Sequence, residues 1–265
     1  MKPDFLSTEP DDRTVSVLPA AVMRSPLVNA RVDQVLSGFR NDADDESAGA
    51  IAFLNDRIVP VAQDGPQCGL VALKMAADIL GVADVTVERI FQSAKASQFT
   101  NNGEMFSVEW MAKLAEEQFA CSSQVLSPLP SQLDLCHLLK SPNTAILVPY
   151  DNDKNFEPTF LNGHAAHWSI LVGFVAVSDA YADLKWLDET DTLPSADELP
   201  LKDVFLFAFH GKSKHPGLWQ YDRLKRSNEN LAEFGEQRAN DGRTYILPPE
   251  RLDGLRAKCL ILRPK

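Results

Sequence analysis

Apolar positions recur at helical spacing through the first half of the chain and in strand-like runs through the second. Leu70, Leu73, Ala77 and Leu80 fall on one stripe, which predicts a helix over Gly69–Leu80 stopped by Gly81. "VTVERIFQSAKASQF" predicts a second helix, with Asp84 or Thr86 as its N-cap. Ser107 caps a third, "VEWMAKLAEEQF", and "PSQLDLCHLLK" reads as a fourth. Runs rich in β-branched and aromatic residues then take over. "NTAILVPYD" (143–151), "HWSILVGFVAV" (167–177) and "DVFLFAFHGKS" (203–213) predict strands. Shorter strands are predicted at "SSQVL", "RTYILP", "KCLIL" and, ahead of the Asp64-Gly65-Pro66 turn, "RIVPVAQ". "LWQYDRLKRSNENLAEF" holds an amphipathic helix, and the acidic, proline-containing stretch 179–202 reads as a surface loop. Helices first and a mostly antiparallel sheet second define an α+β fold.

Residues 1–50 stand apart. They carry Pro3, Pro10, Pro19 and Pro26 and the polar run "RNDADDESAGA", and are expected to be poorly ordered, with "VSVLPAAVM" as an apolar patch able to dock. Residues 51–265 form the expected folded domain.

Composition narrows the functional classes. The 265 residues suffice for a sizeable core, and 45% hydrophobic with 24% charged residues is ordinary for a globular protein. A net charge of -11 argues against nucleic acid or an anionic membrane as partner. The N-terminus lacks an apolar signal core, and no run approaches the ~18 apolar residues of a membrane span. The four cysteines are spread without a CxxC pair, which suits neither a disulfide scaffold nor zinc and points to reduced thiols in the cytosol. No phosphate loop, HExxH or GxSxG is present, so neither metal nor cofactor is expected.

The chemistry centres on "QDGPQCGLVALKMAADILG". A nucleophilic thiol needs a setting that favours thiolate, a nearby base, and donors for the oxyanion. Cys68 stands where the unsatisfied N–H groups of a helix start would lower its pKa, and Gly69 leaves room for a substrate carbonyl. Gln63, five residues upstream, is the candidate oxyanion donor, with Gln67 as second choice. Of the histidines, His167 at the start of a strand is the best-held base; His164 lies three residues earlier in the loop. His210, ending the next strand, could orient the His167 ring. Each residue alone reads as structural; a helix-start Cys together with a strand-start His raises the nucleophilic reading to equal weight. Cys121, Cys136 and Cys259 lie in apolar patterns and read as core.

"GPQCGLVALKMA", "GEMFS", "VPYDNDKN", "GHAAHWSILVG", "GKSKHPGLWQYDRLKRSNENL" and "DGRTYILP" resemble, in order, blocks of the actin maturation protease family across about residues 55–262. The resemblance implies a papain-like, C39-like cysteine peptidase that removes an acetylated N-terminal residue, N-acetyl-methionine or N-acetyl-cysteine, from newly made actin. It puts the nucleophile on Cys68 and the histidine on His167. Gln63 is one residue nearer the cysteine than papain-like enzymes place their glutamine. The "FHGKS" block offers His210 and no acid as the third member, and Asp179, Asp183 and Asp203 have no motif behind them. Vertebrate members carry a proline-rich segment suited to profilin. The scattered prolines here, without a polyproline run, argue against that contact. The acidic tail of immature actin must meet a chain that is itself acidic, so a local basic patch is expected at Lys212 and Lys214, extended by Arg223, Lys225 and Arg226. The competing readings are a deubiquitinase-like or other cysteine peptidase, and a non-catalytic actin- or profilin-binding module.

Overall fold

The computed structural model describes residues 25–40 and 49–265. Its elements run α1 (Pro26–Arg40), β1 (Gly49–Leu54), α2 (Cys68–Ile79), α3 (Val87–Ala96), α4 (Val108–Gln118), β2 (Cys121–Leu126), α5 (Gln132–Lys140), β3 (Ala145–Asp151) and β4 (Ala166–Ser178). There follow β5 (Leu184–Trp186), β6 (Leu201–Phe209), β7 (Gly217–Gln220), α6 (Tyr221–Glu229), α7 (Glu236–Ala239), a 3-10 turn (Arg251–Gly254) and β8 (Cys259–Pro264). The expected α+β class holds. Every pairing in the eight-stranded sheet is antiparallel except β1 with β5.

β4 organises the sheet. Its first half, Ala166–Leu171, pairs with β3; its second half, Gly173–Ser178, pairs with β1, and β6 runs along the other edge. The change falls at Gly173, where the β6 register shifts. A side chain there would meet the Phe53 carbonyl oxygen at 2.1 Å, so only glycine lets β1 approach. The extra residue reverses the alternation. Trp168, Ile170 and Val172 face one core before the bulge, and Val175 and Val177 face it after. That core holds the buried sides of α1 to α4; α5 and α6 close a second core on the opposite face.

Three N-caps form as side-chain chemistry dictates. Thr86 accepts from the Arg89 N–H, Ser107 from Trp110 and Ser131 from Asp134. Asp84, the alternative cap for α3, instead takes a left-handed turn at φ 57°. α2 departs from a simple amphipathic stripe: nine of its twelve residues are buried, so it runs through the interior.

Several sequence expectations need correction. Within 1–50, residues 26–40 form a helix, because Val28, Val32 and Leu36 recur at i, i+4 and i+8 and are buried against the body. Pro26 sits at its first position, where a missing N–H costs nothing. The rest of that segment up to residue 48, including "VSVLPAAVM", lies outside the described residues. "RIVPVAQ" and "RTYILP" are not strands; Pro60 interrupts the first, whose Gln63 N–H donates to the Gly211 carbonyl at 2.8 Å just beyond the end of β6. β1 and β5 arise from stretches the pattern assigned to no strand.

The loop joining β3 to β4 is tied to one buried carboxylate. Asp151 Oδ2 accepts from the N–H groups of Leu161 (2.6 Å) and Gly163 (2.8 Å), and Oδ1 from Ala165 (2.9 Å). The buried Ser227 hydroxyl accepts from the Asp151 N–H at 2.9 Å and donates to its carbonyl at 3.0 Å. Replacing Asp151 by Ala should destabilise the fold by about 3 kcal/mol or more, since three N–H groups, that of Gly163 buried and those of Leu161 and Ala165 partly so, lose their acceptor. A shift in the denaturant midpoint at unchanged slope checks it. A loss under about 1 kcal/mol contradicts the role given to this carboxylate.

Candidate active site

α2 begins at Cys68, with Gln67 as its N-cap, so the thiol stands at the end of a helix whose first N–H groups have no helical partner. The helix is held there by close packing. Gly69 lies under Trp168 and Met105, whose atoms would meet an added side chain at 3.1 and 3.3 Å. The missing Gly69 side chain therefore serves packing, in place of the room for substrate expected from sequence. The Trp168 indole N–H donates to the Met105 carbonyl at 2.8 Å and locks this corner.

His167 enters the same corner from the start of β4. Its Nε2 lies 2.8 Å from the main-chain carbonyl of His210. A carbonyl can only accept, so Nε2 carries the proton and Nδ1 keeps the lone pair of the neutral ring. The orienting partner expected at His210 is thus present, as a backbone oxygen. The His210 side chain stacks on Phe156 (5.1 Å between centroids, 11° between planes) and on Trp219. Phe156 takes a left-handed conformation unusual for a non-glycine residue, φ 65°, and its carbonyl accepts from the Tyr150 hydroxyl at 2.9 Å.

Cys68, His167 and Gln63 line one cavity of about 410 Å³. The main-chain N–H groups of Trp168 and Gly69 pull the thiol's pKa down, against the larger effect of its burial. Gln63 Nε2 donates one proton to the Gly65 carbonyl at 2.7 Å, leaving the other uncommitted by that bond. Lys212 lines the cavity, whereas Lys214 does not. Met105, Phe106, Tyr245 and Leu255 supply apolar walls. Four charged lining residues escaped the sequence reading: Glu104, Arg238, Asp241 and Arg243. Glu104 lies within the "GEMFS" block, to which no chemistry had been attached; the others follow α6 in a segment read as a strand and its approach. His164 faces elsewhere, 3.0 Å from Glu233 on a separate cavity. Cys121, Cys136 and Cys259 are buried, as expected.

Electrostatics set the resting state. Burial pushes the Cys68 thiol up, against smaller lowering contributions from the Trp168 N–H and from Arg238. Burial also holds His167 down at about 4, opposed by the His210 carbonyl. Neutral thiol and neutral imidazole therefore coexist at neutral pH, contrary to the thiolate expected from the helix start alone. Among the described residues no group of three or more His, Cys, Asp or Glu side chains could hold a metal ion, and no helix is long and apolar enough to cross a membrane.

A cysteine opening a buried helix and a histidine opening a strand thus share one cavity in an α+β frame. The family model for the actin maturation protease-like C-terminal domain matches residues 58–175. The chain is 38% identical over 228 residues to an actin maturation protease of Danio rerio, covering 79% of this chain and 74% of that one. It is 36% identical to the Homo sapiens actin maturation protease (77% and 63% covered) and 32% to that of Drosophila melanogaster (76% and 67%). It belongs to the actin maturation protease family. A solved Bacillus anthracis chain described as a C39-like peptidase superposes over 80% of this chain and 98% of its own, at 11% identity and a TM-score of 0.42.

The buried imidazoles make stability depend on acid. In the unfolded chain His167 titrates near 6.5, whereas in the native chain it does so near 4. The unfolded state thus binds more protons between these values. Stability should be full above about pH 6.5, fall by about 3 kcal/mol as the pH drops to 4, and then level off for this group. Urea unfolding at pH 7 and pH 4.5 checks this. His167→Asn should roughly halve the dependence, because burial holds His210 down at about 4 as well, and an unchanged slope in that variant contradicts it.

Proposed function

We propose that this chain is a cysteine-type aminopeptidase of the cytosol that removes the acetylated N-terminal residue, acetyl-Met or acetyl-Cys, from immature actin. The observation that carries the reading is the His167–His210 bond, which fixes the tautomer with Nδ1 as a proton acceptor in the cavity that Cys68 also lines. The family to which the chain belongs supplies the substrate.

The steps follow from the resting protonation. Cys68 Sγ attacks the carbonyl of the acetylated first residue as its proton passes to His167 Nδ1. The imidazolium that forms is stabilised through Nε2–H by the His210 carbonyl. The oxyanion is met by the Cys68 main-chain N–H and the second Nε2 proton of Gln63. Collapse breaks the C–N bond, and the Nδ1 proton goes to the leaving amine of the shortened actin. Water then attacks the thioester, giving its proton to Nδ1, and the acetyl amino acid leaves as the thiol is restored. Lys212 and Arg243 at the cavity give an acidic substrate tail a cationic face on an otherwise acidic chain.

Cys68→Ala should abolish cleavage of an N-acetylated actin peptide without lowering the melting temperature, read by mass spectrometry of the peptide; retained cleavage overturns the nucleophile. Lys212→Glu should cut kcat/KM several-fold on a peptide with acidic residues after the cleaved one and much less on its neutral counterpart. Equal losses on both would remove Lys212 from substrate recognition.

A further inference from the structure

Three residues that line the cavity beside Cys68 each carry a shielded polar atom without a partner: Gln63 Oε1 and, on charged side chains, Arg238 Nη1 and Glu104 Oε1. Arg238 donates through Nη2 to the Ala166 carbonyl at 2.9 Å, and its guanidinium lies 5.7 Å from the centre of the Phe106 ring. Its Nη1 is shielded from water and bonds nothing. Glu104 Oε1 is likewise shielded and unpaired. Both residues line the cavity. A buried guanidinium nitrogen and a buried carboxylate oxygen left unsatisfied are costly, and native structures seldom keep such atoms idle. One is a spare donor, the other a spare acceptor. Met105, Phe106, Tyr245 and Leu255 give apolar walls around them.

A secondary amide attached to an apolar residue has the complementary set, a carbonyl that accepts and an N–H that donates. We infer that Arg238 and Glu104 recognise the N-acyl amide of the substrate's first residue, Arg238 Nη1 donating to the acyl carbonyl and Glu104 Oε1 accepting the amide N–H. The inference rests on the reading of this cavity as the active site. It gives selectivity a cause: a free α-ammonium offers donors only and puts a positive charge beside Arg238, whereas acylation removes the charge and adds the acceptor. Arg238 and Glu104 are thus specificity residues, distinct from the groups that move the proton.

Binding to the full-length Cys68→Ala chain, followed by calorimetry, separates recognition from turnover. Three peptides of one sequence beginning with methionine are compared: N-acetyl, free amine, and N-acetyl-N-methyl, which lacks the amide N–H. The acetylated peptide should bind about tenfold or more tighter than the other two, as expected for charge-assisted hydrogen bonds. Arg238→Gln should erase the difference between acetylated and free peptides. Glu104→Met should erase the penalty of N-methylation alone. If Arg238→Gln weakens acetylated and free peptides by the same factor, or neither, the inference is overturned. The methylated peptide requires no further variant: equal binding of methylated and unmethylated peptides overturns the Glu104 contact even where a variant fails to fold. Should no peptide bind the folded Cys68→Ala chain, the active-site assignment itself falls, a result distinct from binding without discrimination.

Discussion

Everything at the reactive end of the molecule hangs on the Asp151 carboxylate. β3 and β4 are antiparallel neighbours, yet fourteen residues separate Asp151 from the end of the loop at Ala165. A loop of that length has no intrinsic reason to return to one geometry. Asp151 gathers three of its N–H groups, all in the last five residues before β4. His167 therefore emerges from a fixed corner. The same loop lays Phe156 against the His210 ring, so one buried charge arranges the approach to both histidines. Ser227 on α6 ties that corner to the second core.

The site balances two opposing fields. A helix start favours a negative charge by about 0.3–1 kcal/mol, while each pKa unit of desolvation is worth about 1.4 kcal/mol. The directions at Cys68 and His167 show that burial wins at both. Such a pair stores no ion pair in the resting protein. The His210 carbonyl accepts from Nε2, which leaves Nδ1 as the unprotonated nitrogen of the resting ring.

Much of the frame was legible from periodicity. α3 and α4 announced themselves through Thr86 and Ser107, because caps are local chemistry, and α5 through the run "PSQLDLCHLLK". β3, β4 and β6 followed from runs of β-branched and aromatic residues. β1 was not legible: "GAIAFL" is buried on both faces and is as short as a loop's apolar patch. Nor could the Gly173 bulge be read, since it exists to admit Phe53 from a strand over a hundred residues away. Cys68 and His167 stood out because their chemistry coincides with element boundaries. Glu104 and Arg238 did not. They are ordinary charged residues in a turn and a four-residue helix, and only tertiary folding leaves their polar atoms buried and unpaired.

The backbone identity of the acceptor behind His167 changes what heredity can act upon. A side-chain acceptor is lost by one codon change; a carbonyl is carried by every amino acid. What must stay in place is the pairing of β6 with β4, down to Ile170 opposite Phe209, which delivers residue 210 to the ring. The side chain at 210 is thereby released for a different purpose, stacking between Phe156 and Trp219, and can drift as that packing allows. The acceptor behind the ring is thus set by strand register, and a change of residue type at 210 leaves it in place.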